Sequence, residues 1–127
     1  MKALVIDGNE TNRYSLARDV AKLGYDVCEA GNGVSGLACY LDNFRETALV
    51  LVELDVPRQN GLSVIRGVRH IAAEYDVNPT ICLMCARSST DAIRQAYRLG
   101  ANHVFTEPYD RAALKTVFLK VRSEIAA

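Results

Sequence analysis

The chain has 127 residues, 50% of them hydrophobic and 24% charged, which suits one soluble globular domain spanning residues 1–127. Its 15 basic and 15 acidic residues cancel to a formal net charge of zero, which removes the electrostatic case for nucleic acid or an anionic membrane as partner. No apolar run reaches the ~20 residues of a bilayer span, and the start, Met1-Lys2-Ala3-Leu4-Val5-Ile6-Asp7, meets an acid too soon for a secretory signal. A cytoplasmic location is expected, with Cys28, Cys39, Cys82 and Cys85 reduced.

The elements follow in order. Ala3 to Ile6 is an apolar strand that stops at Asp7-Gly8-Asn9, with Asn9 or Thr11 free to cap a helix. Leu16, Val20 and Leu23 mark one face of that helix, and Gly24 suits its left-handed end. Tyr25 to Ala30 is a second strand whose Asp26 and Glu29 suggest a half-exposed edge. Val34, Leu37, Ala38 and Leu41 give a second helix, followed by a polar connector from Asn43 to Thr47. Ala48 to Glu53 is apolar at every position before the acid, as expected of a central strand covered on both faces. Leu62, Ile65, Val68 and Ile71 or Ala72 define the third helix, and Asn78-Pro79 breaks the chain. Thr80 to Cys85 is the fourth strand. Ile93, Ala96 and Tyr97 mark a helix ended by Gly100. His103 to Phe105 is the fifth strand. After the turn Glu107-Pro108-Tyr109-Asp110, Leu114, Val117, Phe118, Val121 and Ile125 form the last apolar stripe.

Strands alternating with helices of this size predict an α/β sandwich: a parallel sheet with helices on both faces and right-handed crossovers. In such sheets, sites form beyond the carboxyl ends of the strands. Asp7 and Glu53 end neighbouring strands there, and Glu107 follows the fifth strand. The bond before Pro108 is the X-Pro type in which a cis peptide occurs.

Two motifs offer other readings. Gly31-Asn32-Gly33-Val34-Ser35-Gly36 is a literal G-x-G-x-x-G, with Glu53 twenty residues past Gly33, near the spacing of a ribose-binding acid. A small dinucleotide-binding protein is therefore an alternative, although the charged edge strand before the motif argues against it. Cys82-Leu83-Met84-Cys85 is a Cys-x-x-Cys, but on a strand its two thiols point to opposite faces. His70 and His103 have no companion metal ligands at useful spacing.

The segments Leu4-Val5-Ile6-Asp7-Gly8-Asn9, Gly24-Tyr25-Asp26-Val27, Asn32-Gly33 through Leu37, Pro57 with Gly61, Leu99-Gly100-Ala101-Asn102 and Glu107-Pro108-Tyr109 together resemble the receiver domain of two-component response regulators, over nearly the whole chain. The resemblance implies a flavodoxin-like sheet of strand order 2-1-3-4-5 with five helices. It also exposes departures. The family phosphorylates an aspartate four residues before the loop proline, where this chain has Glu53. Its second metal-binding acid is here Gly8, its Ser or Thr after the fourth strand is Cys85, its lysine after the fifth strand is Glu107, and its switch aromatic is Val104. Of that site only Asp7 keeps its residue type.

Phosphoryl transfer needs a Mg²⁺ ion and cations facing the developing charge. Gly8 offers the metal no carboxylate, and Glu107 puts a negative charge where a cation belongs. Two like charges ~5 Å apart at an effective dielectric near 20 repel by roughly 3 kcal/mol. Asp7, Glu53 and Glu107 are thus expected to form an acidic cluster with one raised pKa, unless Glu107 turns toward Arg58 or Arg87. Asp55 reads as a loop acid beside it.

The expected function is that of a degenerate receiver: a non-enzymatic interaction module with no cofactor and little or no affinity for Mg²⁺. By resemblance its partners are a histidine kinase, a phosphotransfer protein, an output protein or a second copy of itself. The output face would carry Arg94, Gln95, Arg98, His103, Arg111 and Lys115. The alternative within the family is a conventional receiver phosphorylated on Glu53 or Asp55.

Overall fold

The computed structural model describes residues 1–126, with side chains through Glu124; Ile125, expected in the last apolar stripe, lies outside the described side chains. The elements are β1 (Lys2–Ile6), α1 (Glu10–Lys22), β2 (Asp26–Ala30), α2 (Gly33–Asn43), β3 (Thr47–Glu53), α3 (Gly61–Glu74), β4 (Thr80–Cys85), α4 (Thr90–Leu99), β5 (His103–Thr106) and α5 (Arg111–Ala126). The five strands form one sheet of order β2-β1-β3-β4-β5 with every pair parallel. This is the flavodoxin-like order expected above.

The register explains the burial. Alternate side chains of β1, β3 and β4 enter two separate cores. Leu4, Ile6, Val50, Val52, Ile81, Leu83 and Cys85 pack under α2, α3 and α4 with Tyr40, Val64, Ile65, Val68 and Ala96. Ala3, Val5, Leu49, Leu51, Cys82 and Met84 pack under α1 and α5 with Ala17, Val20, Leu114 and Phe118. The central strand β3 is buried from Thr47 through Val52, so its apolar run has no polar face to show. Cys82 and Cys85 fall in different cores, as the strand geometry required, and all four cysteines are free.

The helix ends are set by local chemistry. Asn9, Asn32 and Asn60 each accept a hydrogen bond from a backbone N–H in the first turn of α1, α2 and α3, through Asn12, Ser35 and Ser63. Asp110 does the same for α5, accepting from Ala112 and Ala113. Gly24 and Gly100 take left-handed φ values of 99° and 113° at the ends of α1 and α4.

Small boundary differences have identifiable causes. Thr47 belongs to β3 rather than to the connector, because its buried hydroxyl donates to the Asn43 carbonyl at 2.7 Å. Tyr25 precedes β2; its hydroxyl donates to the Phe118 carbonyl at 2.6 Å and ties the chain to α5. Lys2 and Thr106 extend β1 and β5 by one residue each. At the amino end of the sheet, Arg69 of α3 donates to the Gly100 carbonyl at 2.8 Å, to Asn78 Oδ1 at 3.0 Å and to Asn102 Oδ1 at 2.6 Å. Asn102 Oδ1 also accepts from the Ile81 N–H, so one guanidinium joins α3, the start of β4 and the turn after α4.

Candidate functional site

The topology brings four expected residues to the carboxyl edge of the sheet. Asp7 follows β1, Glu53 ends β3, Cys85 ends β4 and Glu107 follows β5. Asp7 is held from both sides: its N–H donates to the Ala30 carbonyl at 3.1 Å, and its carboxylate accepts from the Asn9 N–H at 2.8 Å. Its carbonyl accepts from Arg13 Nη1 at 2.8 Å, while Arg13 Nε donates to Glu29 Oε1 at 3.3 Å. Burial pushes the Asp7 carboxyl above its usual range, the Asn9 N–H and Arg13 oppose this, and the Glu107 charge adds to it.

Glu53 is half-buried, and its carboxyl is pushed up to about 7. Loss of water is the largest cause; the Asp7 charge comes next, with smaller pushes from Glu107 and Asp55. The Tyr109 hydroxyl lies 3.5 Å from Glu53 Oε2 and 3.3 Å from Glu107 Oε1. A phenol has one proton to donate. It can be divided weakly between the two carboxyls, and a protonated Glu53, favoured by its raised pKa, can donate back to the phenol oxygen.

Glu107 does not turn to Arg58 or Arg87. Among the described residues its partner is Tyr109, and neither arginine forms an ion pair with it. The Glu107–Pro108 peptide is cis. Asp55 is exposed on the loop beyond β3. The Cys85 thiol is buried and pushed up by that burial, then by the Glu53, Asp55 and Glu107 charges. Val104 is half-buried and packs in the same core as Cys85. Gly8 lies against Pro57: a Cβ built on it would fall 2.8 Å from Pro57 Cδ.

The expected output face divides. Arg94, Gln95 and Arg98 are exposed on α4, where Gln95 Nε2 donates to Asp91 Oδ2 at 2.9 Å and Arg94 pairs with the same carboxylate at 3.9 Å. His103 stacks on Phe105 along β5, the edge strand. Arg111 and Lys115 stand on the side of α5 that faces α1. Arg111 reaches across to α1, 3.2 Å from Asp19 Oδ2 and 3.3 Å from Ser15 Oγ, and Lys115 lines the groove between α1 and α5 with Lys22 and Leu16. The cause is the carboxylate on α1, which draws the guanidinium to that side of α5.

Two residues of the site were missed in the sequence. Tyr109 stands where the receiver pattern has Phe, and its extra oxygen is what links Glu53 to Glu107. Arg13, which grips the Asp7 backbone, has no signal beyond its position one turn into α1. The glycine motif is consumed by packing. A Cβ at Gly36 would lie 2.5 Å from Ile6 Cδ1, and one at Gly31 would lie 3.3 Å from Arg13 Nη1. These glycines let α2 and Arg13 approach β1 and the β2 end, which is no argument for a phosphate cradle.

Residues 3–118 match the response regulator receiver domain. The chain belongs to the response regulator receiver family. The receiver is 29% identical over 116 residues to chemotaxis protein CheY1 of Helicobacter pylori, covering 91% of each chain. It is 28% identical over 109 residues to sporulation initiation phosphotransferase F of Bacillus subtilis, covering 86% of this chain and 83% of that one. It is 31% identical over 113 residues to transcriptional regulatory protein PrrA of Mycobacterium tuberculosis, 89% of this chain but 46% of that protein. Among solved structures, a receiver domain protein from Clostridium thermocellum superposes with a TM-score of 0.86 at 19% identity, covering 99% and 98% of the two chains. The receiver domain of Ssk1 from Saccharomyces cerevisiae, crystallised with the phosphotransfer protein Ypd1, gives 0.82 at 19% identity over 93% of this chain and 86% of that one.

Membership raises the question of the family's metal ion. In this receiver the acid pair at the end of β1 is reduced to Asp7, Gly8 has no side-chain oxygen to give, and the Tyr109 hydroxyl lies 3.5 Å from Glu53 Oε2. Among the described residues no three His, Cys, Asp or Glu side chains are grouped so as to hold an ion. Asp7 and Glu53 are the carboxylates that would hold such an ion. No described helix is long and apolar enough to cross a membrane.

Proposed function

We propose that this receiver is an interaction module of a two-component pathway whose binding to partners does not depend on phosphorylation. The observation that carries the reading is the charge and bonding of the pocket: Glu53 and Glu107 share the Tyr109 hydroxyl where a receiver uses an aspartate, a metal and a lysine. An incoming phosphoryl group would meet three carboxylates and no facing cation, with nothing to neutralise the charge it brings. The switch positions agree. Cys85 is a weak donor to an anion, and Val104 has no ring to relocate. A ligand shifts a conformational equilibrium only by binding one state better, and here both the ligand and the moving part are missing.

The partner classes follow from the family. A histidine kinase, a phosphotransfer protein of the kind that Ssk1 meets in Ypd1, an output protein or a second copy would dock on a face held in one conformation. The module binds rather than catalyses, and no cofactor is assigned to it.

The test is direct. Incubation with acetyl phosphate and Mg²⁺, followed by intact-mass measurement, should leave the mass unchanged, and beryllofluoride with Mg²⁺ should leave the Asp7 and Glu53 resonances in place. A stoichiometric phosphoryl adduct mapped to Glu53 or Asp55 would establish the conventional receiver instead.

A further inference from the structure

The loop between β3 and α3, residues 54–60, is seated on its neighbours by two residues that lack a side chain. Over Gly8, the Pro57 ring takes the space that a Cβ would need, 2.8 Å from Pro57 Cδ and 3.5 Å from Pro57 Cγ. Over Gly33, the Gln59 carbonyl oxygen lies where the Cβ would be, with Gln59 Cβ at 2.7 Å. Between these contacts the Gly33 N–H donates to the Pro57 carbonyl at 2.9 Å. Neither glycine has a left-handed φ; only Gly24 and Gly100 do among the described glycines. Their lack of a side chain therefore serves space, not backbone conformation.

The loop itself has the marks of a segment held in place. Arg58, at its crest, has φ 73°, a left-handed value for a residue with a Cβ. That conformation is strained for a residue with a Cβ, and it persists only where the surroundings over-determine it. Both ends are fastened. Val56 is buried in the core under α3, and the Gly61 N–H donates to the Leu54 carbonyl at 2.8 Å. A Cβ at Gly61 would collide with the Glu53 carbonyl oxygen at 2.8 Å, so α3 starts tight against the end of β3.

We propose that this loop is a built-in latch: seated on Gly8 and Gly33, it is held in a single conformation without metal or phosphoryl group. The proposal rests on the phosphorylation-independent reading and gives it a mechanical cause. In this receiver Gly8 does more than omit a metal ligand: it leaves the loop proline room to lie against the turn after β1.

Native-state hydrogen exchange followed by NMR tests the latch in the wild type and in Gly8→Ala, Gly33→Ala and Pro57→Ala. In the wild type the Gly33 amide should exchange at least a hundredfold more slowly than an open chain. Alanine at 8 or at 33 should speed exchange of the amide at position 33 at least tenfold and split or broaden the resonances of residues 54–60, while the protein still melts cooperatively. Pro57→Ala keeps the backbone acceptor for Gly33, so it should open the Gly8 side while leaving amide 33 protected. An unprotected Gly33 amide in the wild type, a measurement that needs no variant to fold, would overturn the latch. So would alanine variants whose exchange and loop resonances match the wild type. Neither measurement involves a phosphodonor, so the latch and the phosphorylation-independent reading fail separately.

Discussion

Replacing Glu53 by Gln isolates the electrostatics of the pocket. In an unfolded chain this carboxyl titrates near 4.5, and in the folded receiver near 7. Between those values the folded chain keeps a proton that the unfolded chain has released. The contribution of Glu53 to stability therefore decreases as pH rises through that window, opposite to the behaviour of a salt-bridged acid. At about 1.4 kcal/mol per pH unit, the full shift corresponds to roughly 3 kcal/mol between the two values. Glu53 is only half-buried, and water at the pocket mouth screens it, which reduces the expected effect to about 1–2 kcal/mol. Glutamine keeps the shape and hydrogen bonding of the protonated acid and cannot ionise. The variant should match the wild type near pH 5 and be more stable by about 1–2 kcal/mol at pH 8. Urea denaturation of both proteins at pH 5, 6, 7 and 8 measures this. Parallel stability curves across that range, or a variant less stable at pH 8, would refute the account of a crowded acidic pocket.

Other outcomes follow from the same contacts. Tyr109→Phe removes the one hydroxyl shared by the two carboxyls and should cost about 1 kcal/mol at pH 8, measured by the same denaturation. Glu53→Asp alone should take no phosphoryl group from acetyl phosphate, because it supplies neither the acid missing at position 8 nor the cation missing at position 107; efficient labelling by intact mass would contradict this. Gly100→Ala forces a left-handed φ on a residue with a Cβ that would sit 2.7 Å from Arg69 Cγ. It should lower stability by about 1–2 kcal/mol in a thermal melt. Charge reversal at Arg94 and Arg98, both exposed on α4, should weaken binding to a cognate kinase or phosphotransfer protein about tenfold, whereas Glu53→Gln should leave it nearly unchanged; titration calorimetry distinguishes the two.

The sheet was legible because burial dictates it. Alternating strands and helices, the wholly apolar run before Glu53 and the charged edge at Asp26 and Glu29 lead to a parallel sheet covered on both faces, and the resemblance to receivers supplies its order. The convergence of Asp7, Glu53 and Glu107 followed from that sheet. Direction along a helix surface was not legible. Arg111 sits on α5 in a position that serves either neighbour, and only the three-dimensional nearness of Asp19 decides for α1. Tyr109 was hidden for a similar reason: one oxygen on an otherwise ordinary aromatic matters only once two acids stand within its reach. Thr47 and Tyr25 were misplaced by a residue because their polar atoms are satisfied by backbone carbonyls, and sequence pattern does not show such bonds.

The Arg69 clasp has a consequence for α4. That helix is fastened at its carboxyl end, where Gly100 and Asn102 are tied to α3 and β4 through one guanidinium, and Asn102 N–H donates to the Ile81 carbonyl at 2.8 Å. Its amino end is free of such ties: Ser89 makes no side-chain capping bond to the first turn. Mechanically, α4 is clasped by side-chain bonds at the end remote from the acidic pocket and held by backbone bonds and the packing of Ile93 at the end beside it. Its small displacements should be rotations about a fulcrum near Gly100, with the largest swing at Thr90 and Asp91. A partner that grips the amino end therefore has the longest arm with which to bend the receiver, whatever the state of Glu53.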